Sequence, residues 1–162
     1  MKIIVAVDEN WGIGKNNGLL FKLKKDMAFF RTQTTGKIVV MGANTFDSFP
    51  DGALPNRVNI VLDNKRRIHD GAITVGSIDE LFAELARYRT DDVFVIGGGS
   101  VYKLLLDYCD SALITKVRAN GNADVFFPNL DERSEWTLAE RSNETDDGNY
   151  KIVFCRYVRK IK

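Results

Sequence analysis

The chain has 162 residues, 44% of them hydrophobic, with 23 basic against 22 acidic side chains for a formal charge of +1. That length and apolar content fit one domain, residues 1–162, with a sizeable core, and the balanced charge gives no electrostatic case for nucleic acid or an anionic membrane surface, so a small-molecule partner is expected. The opening "MKIIVAVDEN" has only five apolar residues before Asp8, too few for a secretory apolar region, and no run approaches the ~18 apolar residues of a membrane span. A soluble, cytoplasmic protein is expected, and a monomer.

Cys109 and Cys155 are too few for a disulfide framework and lack metal-ligand spacing, so both are expected as small core residues. His69 is the only histidine. A metal site built on two histidines is thereby excluded, and no metal is expected. A Ser-His-Asp site would have to use His69, which falls in the polar stretch "DNKRRIHDG" and reads as a solvated loop residue.

In chain order, "KIIVAVD" (2–8) predicts a strand. The loop "DENWGIGKNNG" (8–18) follows, three glycines around Trp11 and Ile13, and reads as a lid rather than a connector. A helix is predicted over 23–34, then the strand "KIVVMG" (37–42), a helix over 43–49, and strands "RVNIVLD" (57–63) and "AITVG" (72–76). "SIDELFAELARYR" predicts a helix capped by Ser77, with Glu80 three residues on. Then come "DVFVIGG" (92–98) as strand, 99–108 as helix, "SALITKV" (111–117) and "WTLAER" (136–141) as strands, "NETDDGN" (143–149) as a polar hairpin loop, and "KIVFCRYV" (151–158) as strand. Continuously apolar runs imply strands buried on both faces, whereas "KIVFCRYV" alternates like an antiparallel edge or hairpin strand. The order β-α-β-α-β-β-α-β-α-β-β-β predicts an α/β fold: a single three-layer domain with a central mixed, mainly parallel eight-stranded sheet, an antiparallel C-terminal strand and four flanking helices.

Four stretches could carry chemistry. In "GLLFKLKKDMAFFR" (18–31) the single carboxylate, Asp26, lies just off a stripe of Leu23, Met27, Phe30 and Thr34, since a helix turns about 100° per residue. A short acid there cannot snorkel to water as a lysine can. It is either a first-turn acid favoured by the helix dipole and bonded to Lys22 or Lys24, which the local pattern alone favours, or a buried carboxyl suited to ligand binding or proton transfer. "VFVIGGGSVYKLLL" joins an apolar strand to a helix through three glycines, which suits close approach to a phosphate or merely tight packing; Tyr102 stands where a dinucleotide fingerprint needs its last glycine. "VVMGANTFDSF" is a second strand-glycine-helix junction, with Asn44 and Thr45 placed to cap the helix. The loop 8–18 is the fourth.

Together "IVAVDENWGIGKNNGLL", "D-M-x-F-F", "VVMGANTF", "LPNRVNIVL", "VIGGGSVY" and "ITKV...ADVFFP" resemble the successive motifs of the dihydrofolate reductase family, of the bacterial type, over nearly the whole chain. The resemblance implies hydride transfer from NADPH to C6 of dihydrofolate with protonation at N5. It makes Asp26 the single acidic active-site residue, bonded to the 2-amino group and N3 side of the pterin and to Thr115. Val5, Ala6, Phe30, Phe49 and Leu54 match apolar walls, Ile96 and Thr115 line the pterin end, and Arg57 matches the arginine that clamps the substrate's α-carboxylate. For NADPH the matches are Ala6, Ile13 and Gly14 near the nicotinamide, with Leu19 beyond them. Gly42, Ala43, Asn44 and Thr45 match at one phosphate-facing turn, and Ile96, Gly97, Gly98, Gly99, Ser100, Val101 and Tyr102 at the other. Leu62, Asp63 and Asn64 match at the adenosine end.

The chain departs from the family pattern in four places, one of them Lys24, which replaces a frequent proline. Leu20-Phe21 replaces a frequent Pro-Trp, so the indole donor is lost. Ala43 stands where an arginine often meets cofactor phosphates. Asp63 falls where hydroxyl residues face the 2′-phosphate and would repel it, although Lys65, Arg66 and Arg67 could restore positive charge. Two other readings are a pyrimidine reductase of the kind used in riboflavin synthesis and a non-catalytic nucleotide-binding module; neither is expected to combine Asp26 on the first helix with Arg57.

Overall fold

β-Branched runs and short turns dictate most of the architecture. In the computed structural model, which describes residues 1–160, the elements in order are β1 (Lys2–Val7), β2 (Gly12–Lys15), β3 (Gly18–Leu19), α1 (Lys24–Thr34), β4 (Ile38–Gly42), α2 (Ala43–Asp47), β5 (Val58–Leu62) and β6 (Ala72–Val75). These are followed by α3 (Ile78–Leu85), β7 (Val93–Gly97), α4 (Gly99–Leu105), β8 (Ser111–Val117), β9 (Val125–Phe126), β10 (Trp136–Arg141), β11 (Thr145–Asp147) and β12 (Tyr150–Arg159).

The main sheet runs β10-β12-β8-β1-β7-β4-β5-β6, with β11 paired to β12 outside that row. From β8 to β6 every pairing is parallel; β12 joins β8, and β10 and β11 join β12, antiparallel. The expected eight-stranded mixed sheet with four helices is present. Two expectations change. β12 is antiparallel and forms a hairpin with β11, as expected, but lies internally between β8 and β10 rather than at an edge. The stretch 143–149 is a hairpin, as expected, but carries its own strand, β11, closed by a two-residue turn at Gly148-Asn149.

Alternation along the parallel strands divides the core. Ile3, Val40, Ile60 and Val95 join Leu81 and Leu85 of α3 and Val101 and Leu105 of α4 in one cluster. Their neighbours Ile4, Val39, Val61 and Phe94 join Phe46 in another, against which Phe29 and Phe30 of α1 pack. The sheet is thus covered on both faces, which is why these runs read as continuously apolar. Both cysteines are buried, and burial pushes the Cys109 thiol up to about 12.

The loop 8–18 is not irregular. β2 and β3 form a hairpin through Asn16 and Asn17, both at positive φ, and β9 adds a third strand. Trp11 is buried against Phe127 and Tyr157, and Asp8, also buried, accepts from the amides of Asn10, Gly12 and Gly121, tying the base of the ribbon down. Among the described residues no helix is long and apolar enough to cross a membrane.

Candidate active site

In this sheet the crossovers leave the adjacent parallel strands β1 and β7 in opposite directions. β1 leads through α1 past β7 to β4, whereas β7 leads through α4 past β1 to β8. The crevice outside the carboxyl ends of β1 and β7 is the topological switch point where open α/β sheets bind ligands. Ala6 and the Ile96-Gly97 pair stand at these strand ends.

Asp26 reaches this place from the first turn of α1. Its Oδ1 accepts a hydrogen bond of 2.7 Å from the Thr115 hydroxyl, and Thr115 is paired in register with Ala6 across β8 and β1. Neither Lys22 nor Lys24 pairs with it among the described residues, so the first-turn location was right and the lysine partners were not. Burial raises the Asp26 pKa, the Thr115 bond lowers it and the nearby Asp147 carboxylate raises it again, for a net rise. Sequence reasoning missed Asp147. It is buried, and its Oδ2 accepts from the amides of Lys25 at 2.9 Å and Asp26 at 3.2 Å. Leu23, at the helix N-cap, offers no side-chain bond, and an apolar cap residue was the one available signal that α1 needs a partner from elsewhere.

Around this acid the expected apolar walls divide by face. Phe30, Ala43, Phe49, Leu54 and Ile96 pack partly buried on the α1 side, while Val5, Ile13 and Leu62 pack on the other. Leu19 projects from the ribbon at 77% exposure and joins neither group. Phe21 keeps its expected apolar packing, with its ring 4.7 Å from that of Tyr150.

Arg57 lies beyond Phe30, its guanidinium 5.9 Å from that ring, donating to the Thr34 hydroxyl at 3.1 Å and the Pro55 carbonyl at 2.9 Å. Burial and the nearby Arg31 charge lower its pKa, which marks an excess of positive charge here. Asn59, also missed from sequence, exchanges two hydrogen bonds of 2.9 Å with the Leu54 backbone and accepts no role of its own in the crevice; it fixes the segment that carries Leu54 and Arg57.

Two glycine turns complete the crevice. A Cβ on Gly42 would lie 3.1 Å from Val101, and one on Gly98 would lie 3.3 Å from the Thr45 hydroxyl, so the starts of α2 and α4 face each other at close range. Gly97 has φ of 125°, the Gly97-Gly98 peptide is cis, and the Tyr102 hydroxyl is spent on the Ile4 carbonyl at 2.8 Å. Neither helix has a side-chain cap: the N-cap residues are Gly42 and Gly98, and Asn44 and Thr45, expected as caps, lie inside α2. The first amides of both helices are therefore free to meet an anion. A Cβ on Gly99 would lie 2.5 Å from Val125 and 3.9 Å from Ile13, which places the ribbon over the start of α4, with Ser100 exposed beside it.

At the far end of β5 the sequence expectation is overturned. His69 is buried, its Nε2 3.0 Å from Asp63 Oδ2 and its ring edge-on to Phe46 at 5.1 Å. Asp63 is buried too, and also accepts from Arg67 Nε at 2.9 Å and the Lys65 amide at 3.0 Å. Those bonds hold its carboxyl well below the usual range. The polar letters around His69 concealed a pocket that Phe46, from another element, closes. Asp63 thus turns inward, Asn64 is exposed, and the guanidinium of Arg67 accompanies the acid. Among the described residues no cluster suited to a metal ion occurs.

A family model described as dihydrofolate reductase matches residues 1–159. The chain is 35% identical over 159 residues to the dihydrofolate reductase of Haemophilus influenzae, covering 98% of each, and 37% identical over 180 residues to that of Schistosoma mansoni, covering 97% of this chain and 95% of the relative. Its structure superposes with a TM-score of 0.89 and 30% identity on dihydrofolate reductase from Enterococcus faecalis complexed with NADP(H) and RAB-propyl, covering 99% and 96% of the two chains. With one acid at the switch point, two facing glycine turns and these matches from end to end, the chain belongs to the dihydrofolate reductase family.

Proposed function

We propose that this chain reduces 7,8-dihydrofolate to tetrahydrofolate, taking a hydride from NADPH to C6 and a proton to N5. The observation that carries the reading is Asp26: a carboxyl held by Thr115 at the switch point, with its pKa raised by burial. The residues present fit the cofactor. Two uncapped helix starts offer backbone donors to a diphosphate, and Ala6, Ile13, Gly14 and Ile96 offer an apolar setting for a flat ring. NADPH, when bound, supplies the hydride.

The protein's own part is orientation and proton control. Asp26 accepts from the 2-amino group and N3 side of the pterin, and Thr115 fixes the carboxyl that does so. With its pKa raised, Asp26 favours a proton in the site nearer neutrality than an exposed aspartate would, and water carries that proton to N5. Phe30, Phe49 and Leu54 exclude water from the rings, and Arg57 holds the glutamate α-carboxylate. Asp63, paired with Arg67 and His69, presents no free charge to repel a 2′-phosphate, which removes the objection that an acid at this position raised to NADPH. The proposal is a single-domain, monomeric enzyme whose balanced charge and small substrate suit the cytoplasm.

The test mixes purified protein with dihydrofolate and NADPH or NADH and follows reduced-nicotinamide absorbance, with Asp26→Asn in parallel. Turnover with NADPH, a higher kcat/KM than with NADH, and a large loss in the variant are expected. Equal or better turnover with NADH overturns the cofactor preference, and absence of turnover overturns the proposal.

A further inference from the structure

The active-site helix starts without help from its own sequence. Leu23 supplies no cap, and the amides of Lys25 and Asp26 both donate to one oxygen of Asp147 on β11. A second tie runs beside it, from the Lys25 ammonium to the Thr145 hydroxyl at 3.1 Å. Asp147 is itself rigidly placed: β11 turns through Gly148, at φ of 63°, into β12, which lies inside the main sheet next to β8 and pairs Phe154 with Thr115. The two side chains that fix Asp26, Thr115 bonded to its carboxyl and Asp147 to its backbone amide, therefore sit on one antiparallel unit.

We propose that Asp147 is a positioning residue for Asp26, clamping the first turn of α1 from the β11–β12 hairpin and holding a second negative charge beside the Asp26 carboxyl. The inference rests on the reading of Asp26 given above. Removing one charge of a like pair eases ionisation of the other, so Asp147 keeps Asp26 protonated to a higher pH. The other groups facing Asp26 do not offset this. From β8 comes the neutral Thr115; from α4, Tyr102, whose hydroxyl is bonded to Ile4 and whose own pKa is raised; from α1, Lys24 and Lys25, and from the segment before it Lys22, all exposed; from β11, Asp146, paired with Lys151.

Two variants separate clamp from charge. Asp147→Asn keeps the size and a carbonyl oxygen for the two amides but removes the charge; Asp147→Ala removes both. In ligand-free protein, carboxyl-carbon NMR of Asp26 is expected to give a lower titration midpoint in Asp147→Asn, with amide exchange at Lys25 and Asp26 close to that of the parent. Asp147→Ala is expected to lower the midpoint and also to speed exchange at those two amides roughly 2- to 30-fold, the span of a lost N-cap. Because the reaction consumes a proton, the alkaline fall of kcat/KM is expected to move to lower pH in Asp147→Asn. An unchanged Asp26 midpoint in Asp147→Asn overturns the proposal even if Asp147→Ala fails to fold. Neither NMR readout requires turnover, so failure of the assigned activity would show separately, as an inactive parent with shifted midpoints.

Discussion

A carboxyl that burial pushes toward its neutral form is a cost to the folded chain at neutral pH and an asset to its chemistry. The Asp26 pKa is raised in the folded state, so its contribution to stability is full below the unfolded carboxylate value and is lost as pH rises through the folded value. Asp26→Asn removes that loss while keeping an acceptor for Thr115. The variant is expected to melt higher than the parent at pH 7, with little difference near pH 3, and to lose at least ~10²-fold in kcat/KM; a lower melting temperature at pH 7 argues against the burial account. Arg57→Leu is expected to raise KM for dihydrofolate roughly 10- to 150-fold, the worth of hydrogen bonds to a charged group, with kcat little changed. Equal KM in steady-state assays removes Arg57 from the carboxylate-binding role. At this scale the sequence showed what local motifs carry: Asp26 and Arg57 stand in recognisable neighbourhoods. Asp147 does not, because its partner lies 121 residues away, and His69 was misread because its apolar contact, Phe46, comes from α2.

Elements were legible where one period dominates. The buried parallel strands and the four helices followed their patterns closely, with ends differing by a few residues, whereas β2, β3 and β9 were not anticipated: at two to four residues each they are too short to give an alternation to read. The short turns carry a further prediction. Gly97 combines φ of 125° with Tyr102 only 3.2 Å from any added Cβ, and the bond from Tyr102 to Ile4 holds that ring in place. Gly97→Ala is expected to cost about 1–3 kcal/mol from backbone strain plus the clash, seen as a lower urea midpoint at unchanged slope. Gly148→Ala has backbone strain alone, since nothing lies within 4 Å of its Cβ position, and is expected to cost less. Equal losses would show that Tyr102 yields.

For the molecule as a whole, the switch between β1 and β7 brings the first turn of α1 near the starts of α2 and α4, so a cofactor bound as proposed holds several elements at once. Thermal unfolding is expected to rise with NADPH concentration, by about 2.7 kcal/mol at a hundredfold excess over Kd, and less with NADH at the same concentration; identical stabilisation would mean that the 2′-phosphate meets no protein charge. The parallel core and its two covered faces were legible because burial on both sides leaves unbroken apolar runs. The internal place of β12 was not, since strand order is set by pairing between distant segments.

The clamp on α1 also bears on biosynthesis. Asp26 is translated 121 residues before the residue that holds its helix turn, a lag of roughly 6 to 24 s at ordinary elongation rates. For the first 89 residues of that interval β1 and α1 have neither Thr115 nor Asp147, and the apolar side of α1 awaits the sheet it will cover. Nascent chains arrested before residue 111 should expose α1 to protease, and those arrested after β12 has emerged should protect it. α1 is thus among the first segments made and is expected to be among the last fixed.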